Sequence, residues 1–265
     1  IDRVDIIMNT VLKYIIGFAS IMCSKQKPAE IYYHDINMNN KKLSYNSIPK
    51  EIYENQIRLL KYKGIQTILF SELDLDENQG NNKILISYDD GYKSLYDIAY
   101  PIALKYEIKM NIFIIPKMII EKNENYLNRN QIKEMAKSGL VEFGSHTYSH
   151  IRVERIDNDF INREIIMSNK IIEDITGKKP MDFCFPFGYN PDNIIAGISN
   201  LGIYPRIYTS DLRLTYKLNN SYIIGRIGIE ANDSIPIYLH KVAGGFGIYR
   251  SLKKIQYYMQ ILNLK

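Results

Sequence analysis

Two histidines four positions apart, His146 and His150, stand in a chain that has only four histidines. They follow the apolar run Val141 to Gly144, so both imidazoles sit at the exit of an expected strand. On one helical turn a spacing of four puts the rings on a shared face, where they can close on a single metal ion. Two imidazoles and one carboxylate leave positions open for water and substrate, as a hydrolytic metal site requires. The third ligand is then expected from a neighbouring strand end, and Asp89-Asp90, after Ile84-Leu85-Ile86-Ser87-Tyr88 and before Gly91, offers two carboxylates there. One of them can bind the ion while the other takes a proton from water, since adjacent side chains project differently. Asp followed by Gly is also ordinary turn and N-cap chemistry, so the pair gains meaning only beside the histidines.

A third cluster ends another apolar run: Phe183-Cys184-Phe185-Pro186-Phe187-Gly188-Tyr189. Pro186 and Gly188 shape a tight turn whose backbone N–H groups suit an oxyanion hole, a plain strand-to-loop turn being the alternative. Cys184 reads as a small buried hydrophobe. Cys23 and Cys184 are the only cysteines, too few for a disulfide framework or a zinc ribbon.

The elements that must position these residues alternate: short apolar runs and longer segments of helical period, separated by Gly, Asn and Pro. Strands are expected at Glu30 to Tyr33, Gln66 to Phe70, Ile84 to Tyr88, Asn111 to Ile115, Val141 to Gly144, Asp182 to Phe185, Ile203 to Thr209 and Ile223 to Ile227. Helices are expected at Pro49 to Tyr62, Lys93 to Tyr106, Asn130 to Lys137 and Phe160 to Ile175, with a fifth starting at Pro191-Asp192. This order predicts an α/β fold with parallel strands and crossover helices, and seven or eight strands suggest a closed barrel. The polar clusters fall at strand exits, where such folds gather their sites. Asp74 to Asn82 reads as an exposed loop, and no repeat or second compositional domain interrupts the chain.

Lysine and arginine outnumber aspartate and glutamate by 34 to 29 over 265 residues, for a formal charge of +5. No run of five basic residues occurs, which argues against a nucleic-acid partner. Residues 1–28 are expected to form an N-terminal amphipathic helix ahead of one domain over 29–265. Within it Ile6 to Cys23 is apolar but broken by Asn9, Thr10, Lys13 and Ser20. A signal-anchor remnant and a helix lying on a membrane surface compete with that reading. Oligomeric state has no signature in the sequence.

Together, Ser87-Tyr88-Asp89-Asp90-Gly91, His146-Thr147-Tyr148-Ser149-His150 and Phe185-Pro186-Phe187-Gly188 resemble the first three motifs of the NodB-homology polysaccharide deacetylases, carbohydrate esterase family 4. The resemblance spans roughly Ala29 to Ile229. It implies a distorted (β/α)7–8 barrel and removal of acetyl groups, here expected to be N-acetyl, from an amino-sugar polysaccharide or oligosaccharide of the cell envelope or secreted. It further implies Asp90, His146 and His150 as ligands of a divalent metal, zinc first, with cobalt or nickel accepted by the same set. Asp89 is implied as the base, and the backbone N–H of Phe187, with Pro186 and Tyr189 beside it, as the oxyanion and substrate contact.

The sequence departs from the family pattern twice. Cys184 stands where many members carry the arginine that orients the base, so either another group fills that role, with Arg226 and Arg206 able to contribute from another strand, or the base is less well held. The late motif that usually carries the acid histidine is only partly matched by Tyr238-Leu239-His240, in a helical setting. Ile31-Tyr32-Tyr33-His34-Asp35 instead resembles the opening of the exopolysaccharide deacetylase branch, which makes His34 the preferred acid over His240. With 22 tyrosines and no tryptophan, sugar-stacking surfaces must be Tyr or Phe, and Tyr92, Tyr148 and Tyr189 adjoin the motifs. Two rival functions remain: a same-fold amidohydrolase of a small non-sugar amide, and a catalytically silent sugar-binding module.

Overall fold

The computed structural model describes residues 29–38, 46–75, 82–188, 191–211 and 215–244. The expected N-terminal helix, most of the Asp74 to Asn82 loop and Tyr189 lie outside the described residues. Among the described residues twelve strands appear in chain order. They are β1 (Ala29–Tyr33), β2 (Ile36–Asn37), β3 (Ile48–Pro49), β4 (Gln66–Ile68), β5 (Lys83–Tyr88) and β6 (Met110–Ile114). After these come β7 (Val141–Ser145), β8 (Asp182–Cys184), β9 (Arg206–Thr209), β10 (Tyr216–Leu218), β11 (Ser221–Gly225) and β12 (Ile227–Gly228).

Strands β1, β5, β6, β7, β8, β9 and β11 pair in parallel in that order. Only Arg226 separates β11 from β12, and β12 pairs with β1. This last strand is therefore bent: its first half bonds β9, the Arg226 N–H still donates to Thr209 O, and its second half bonds β1. The bend closes the sheet into a seven-position barrel, and it divides the run expected to be continuous from Ile223 to Ile227. The eighth expected strand, β4, is a wedge that pairs with the start of β5 on the edge that β6 takes farther along. Asn111, fully buried, stitches this irregularity: its Nδ2 donates to Ile68 O and Ile86 O, and its Oδ1 accepts from Phe70 N–H. That is the distortion of the barrel.

Local chemistry sets the boundaries. β9 begins at Arg206 rather than Ile203 because Pro205 has no N–H to give a ladder. Beyond β4 the chain turns into a 3-10 segment at Phe70–Glu72, where the Glu72 carboxylate accepts from Leu69 N–H at 2.8 Å. Pro49 precedes the helix Lys50–Tyr62, which buries Tyr53, Gln56, Ile57 and Leu60. Asn128 caps Arg129–Lys137 in a capping box with Gln131. The helix expected from Lys93 opens with a π turn, Leu95–Ala99, before Tyr100–Tyr106. A π turn at Ile161–Ile166 likewise precedes Met167–Thr176, which stops at the left-handed Gly177. Asp192–Asn200 follows Pro191 as expected. Asn158–Phe160, Pro116–Ile120, Ile235–Val242 and the short β2, β3 and β10 complete the described elements. Among the described residues no helix is long and apolar enough to cross a membrane.

Successive strand side chains point to opposite faces, so alternate residues fill the barrel and the others meet the helices. Leu85, Phe113, Cys184, Tyr208 and Ile224 pack together in one core cluster, while Phe183 and Phe185 join Ile194, Ile195 and Ile198 of the helix Asp192–Asn200. Gly144 must be glycine here, because an added Cβ lies 2.6 Å from the Phe113 ring and 2.9 Å from Asp182 O. The same parity carries Ser87 and Asp89 on from Leu85, and Arg226 on from Ile224, toward the strand exits.

Candidate active site

At the exit of β5 the chain makes a tight turn: Gly91 N–H donates to Asp89 O at 2.9 Å, with Asp90 at φ 71 between them. A left-handed non-glycine residue is strained, and four of the seven in the described chain, Asp90, Thr147, His150 and Phe187, lie in the three motifs. The turn separates the two carboxylates. Asp89 points to the barrel axis and Asp90 to the histidines.

His146 and His150 do not share a helical turn as the spacing predicts. Residues 146–150 form a loop, because left-handed Thr147 ends the strand and takes the His150 N–H on its hydroxyl at 3.0 Å. Glu164, buried at 3% exposure, holds the loop: its carboxylate accepts from the Ser149 N–H and hydroxyl at 2.9 and 2.8 Å, and its carbonyl accepts from Tyr148 N–H. Both imidazoles still reach Asp90, with His150 Nε2 at 3.1 Å and His146 Nε2 at 3.4 Å from Oδ1.

A divalent cation fits between them. His146 Nδ1 lies 2.8 Å from Cys184 O, so its N–H points there and the Nε2 lone pair is left facing Asp90. Asp90 Oδ1 is buried and makes no hydrogen bond of good geometry. Three electron-pair donors thus converge, and ligand bonds of about 2.0–2.1 Å in a tetrahedron put neighbouring donors roughly 3.3 Å apart. Burial pushes the Asp90 carboxyl up, but the facing His146 and His150 imidazoles outweigh it and hold it well below the usual range. A second trio, Asp89, His146 and Cys184, also brings its ligand atoms within 4.8 Å of one another. It is a poor cation site, since Asp89 is already engaged and burial pushes the Cys184 thiol up, keeping it protonated.

Asp89 is engaged by Arg226, whose side chain is wholly buried. Nη1 donates to Asp89 Oδ1 at 2.7 Å and to Ser87 Oγ at 2.8 Å, and Nη2 donates to Asp89 Oδ2 at 2.8 Å. Nη2 also lies 2.9 Å from Cys184 Sγ, so Cys184 is more than an apolar filler. The guanidinium lies 4.5 Å from the centre of the Tyr32 ring and 5.3 Å from that of Phe113. Burial alone raises the Asp89 carboxyl, yet the Arg226 charge and hydrogen bonds bring it below its ordinary value, with smaller help from His146 and His34. Arg206 is not available for this role. It forms a bidentate pair with Asp182 at 2.6 and 2.8 Å, at the opposite ends of β8 and β9.

His34 follows β1, edge-on to Tyr32 at 5.4 Å between ring centres, and its Nδ1 is buried without a partner. His240 sits on the outer helix Ile235–Val242, whose Tyr238 donates to Gln56 O. Pro186 is buried and Phe187 is 60% exposed, its ring 4.6 Å from that of His150. Among the described residues nothing accepts the Phe187 N–H. Gly188 is left-handed, and a Cβ there would meet Ser210 Cβ at 2.7 Å. Tyr92 stacks on Tyr126 at 5.0 Å; burial and the Asp90 charge keep its hydroxyl protonated. Sequence reasoning missed Glu164 and Ser210. Neither lies in a motif, and Glu164 carried no signal beyond its place in an amphipathic segment.

Residues 76–205 match the polysaccharide deacetylase family. The chain is 31% identical over 179 residues to YxkH of Bacillus subtilis (strain 168), grouped by its name with the polysaccharide deacetylases; the match covers 64% of this chain and 62% of that protein, so the chain spans less than two thirds of that relative. It is 25% identical over 199 residues to the poly-beta-1,6-N-acetyl-D-glucosamine N-deacetylase of Staphylococcus aureus (strain MSSA476), covering 70% of this chain and 69% of that one. In fold it is similar to the crystal structure of BC0361, a polysaccharide deacetylase from Bacillus cereus, at a TM-score of 0.72 and 22% identity over 82% of this chain and 69% of that one. The family match thus covers residues 76–205, close to half of the chain, and the barrel is similar to that of a polysaccharide deacetylase.

Proposed function

We propose that this protein is a metal-dependent hydrolase that removes N-acetyl groups from an amino-sugar polysaccharide. The observation that carries the reading is the convergence of Asp90 Oδ1 with the Nε2 atoms of His146 and His150, beside a second carboxylate held ionised by Arg226. An N-acetylglucosamine polymer of the envelope or exported from the cell is the proposed substrate, supported by the name of the Staphylococcus aureus relative.

Asp90, His146 and His150 would hold the ion, zinc first and cobalt or nickel in its place. A divalent ion so held supplies Lewis acidity to the acetyl carbonyl and the attacking water. Asp89 takes the proton from the attacking water on Oδ1, which keeps a lone pair besides the one given to Arg226, while Oδ2 also faces the Cys184 thiol. Arg226 fixes the carboxylate plane and keeps it charged. The Phe187 N–H, shaped by Pro186 and Gly188, donates to the oxygen that gains charge. His34 gives a proton to the departing amine; His240, on the outer helix, is set aside for this role. Residues 29–265 form the catalytic domain in this proposal.

Acetate release from acetylated glucosamine oligomers tests it, using protein stripped of metal and resupplied with zinc, cobalt or nickel, beside His146→Ala. Release restored by the ion and missing in the variant supports the reading. Tight metal binding with no release from any oligomer would move the assignment to a small amide, and no metal binding would leave a sugar-binding module.

A further inference from the structure

The imidazole of His34 is placed by its backbone. The residue lies half-buried in the break between β1 and β2, with the edge of Tyr32 against its ring and with Nδ1 buried and unpartnered. No hydrogen bond at Nδ1 sets the direction of the ring, so whatever fixes residues 34–37 fixes the ring as well.

Asp35 fixes them. Its side chain is fully buried, and its carboxylate accepts from Ser94 Oγ on Oδ1 and from Ser47 Oγ on Oδ2, each at 2.5 Å. The other partners of the two serines set the proton directions. Ser94 Oγ takes the Ile36 N–H at 3.3 Å and Ser47 Oγ takes the Asn37 amide N–H at 2.7 Å, so each hydroxyl hydrogen is left for Asp35. Asp35 O accepts from Ile48 N–H at 2.8 Å beside the β2 and β3 pair, which runs on into the helix Lys50–Tyr62. Ser94 comes from the other side of the site, four residues beyond Asp90. It heads the π turn Leu95–Ala99, where a serine hydroxyl ordinarily caps; here it makes no cap bond and is spent on Asp35 instead. The chain leaving the acid pair and the chain leaving β1 are thereby joined a second time, beyond the bond from Asp89 N–H to Tyr33 O at 3.0 Å.

We propose that Ser94 and Ser47, acting through Asp35, are positioning residues that lock the His34 imidazole relative to Asp89, so that the proton for the departing amine is delivered where the bond breaks. The proposal rests on the reading of His34 as the acid. A misplaced acid costs rate only when the leaving group needs a proton. An amine needs one as its bond to the acetyl carbon breaks, whereas a nitrophenolate leaves as the anion. Loss of the clamp therefore slows N-acetyl hydrolysis and spares nitrophenyl acetate, while damage to the metal ligands or to Asp89 slows both.

The test measures kcat on an N-acetylglucosamine pentamer and on nitrophenyl acetate for the zinc-loaded wild type, Ser94→Ala, Ser94→Thr and His34→Gln. Ser94→Ala is expected to lose about tenfold or more on the pentamer and less than about twofold on the ester, and Ser94→Thr, which keeps the hydroxyl, to recover most of the loss. Equal losses on the two substrates, or no loss on the pentamer, would overturn the clamp. If His34→Gln slows both substrates alike, or if no protein releases acetate, the reading of the acid fails by itself and the signals of the ring decide the clamp. With four histidines in the chain, spectra of the imidazole nitrogens assign His34 by its absence from His34→Gln. A sharp His34 signal that doubles or broadens in Ser94→Ala supports the clamp, and the same signal in both proteins overturns it.

Discussion

Arg226 holds Asp89 with both arms of its guanidinium, at 2.7 and 2.8 Å, across 137 residues of sequence and with neither side chain in contact with bulk solvent. In many proteins of this family the corresponding arginine begins the third motif, where this chain has Cys184. Here the cation arrives from the bent strand that closes the barrel, and Cys184 Sγ receives one of its N–H groups. Cys184 and Arg226 thus meet inside the barrel, and the cation reaches Asp89 from the junction of β11 and β12 rather than from β8.

Breaking this pair leaves a buried carboxylate without its cation, which costs about 3–5 kcal/mol. The Asp89 carboxyl is depressed in the folded state, so its contribution is complete above the unfolded value of about 3.9 and is lost as pH falls through the lower folded value. In Arg226→Met burial dominates and the folded value rises above the unfolded one. The variant then regains stability on acidification, and the gap to wild type is largest near pH 7 and narrows toward about pH 4. Urea unfolding at both pH values measures it; a gap independent of pH would show that the loss comes from packing alone.

Asp89→Asn preserves shape but accepts no proton. Turnover is expected to fall by roughly 10²–10⁴-fold while metal affinity, measured by titration calorimetry, stays near wild type. His34→Gln should lower kcat more than His240→Gln does; the reverse order would move the acid to the outer helix.

Metal binding to the folded chain raises thermal stability by mass action. Zinc in excess is expected to raise the Tm of wild type and of Asp89→Asn, and to leave His150→Ala unmoved. A chelator should return the first two to their metal-free values. An equal zinc response in His150→Ala would remove that residue from the ligand set.

Glu164→Ala frees the loop that carries both histidines without touching either ring. Loss of such outer support typically weakens metal affinity by about 10–100-fold. Glu164→Gln retains one acceptor for Ser149 and should recover part of the loss. Unaltered zinc affinity in Glu164→Ala would mean that Thr147 and the main-chain bonds of Tyr148 hold the loop without the carboxylate.

Gly144→Ala drives a methyl group into the Phe113 ring. Overpacking of this kind costs about 1–3 kcal/mol. Phe113 also neighbours Arg226 and His146, at 5.3 and 6.3 Å, so activity should fall together with stability. Denaturation and acetate release on the same preparation check both.

The residues that converge at the candidate site were legible in the sequence wherever their arrangement is local. Asp89-Asp90-Gly91, the His146 and His150 spacing and the Pro186 to Gly188 turn each depend on a few bonds of backbone. The succession of parallel strands along the chain was legible as well, because strands buried on both faces read as apolar runs between helical segments. Local reasoning misjudged how His146 and His150 meet: a spacing of four suits a helix, but Thr147 and Glu164 impose a loop that reaches the same end. What only the tertiary structure decided is which distant groups complete the site. Arg226 rather than Arg206 serves Asp89 because β11 and β12 form one bent strand that turns Arg226 inward, while Arg206 is spent on Asp182 at the far end. Side-chain direction and barrel closure are set by pairings between segments far apart in the chain, and a residue type at a sequence position carries no record of the strand it will face.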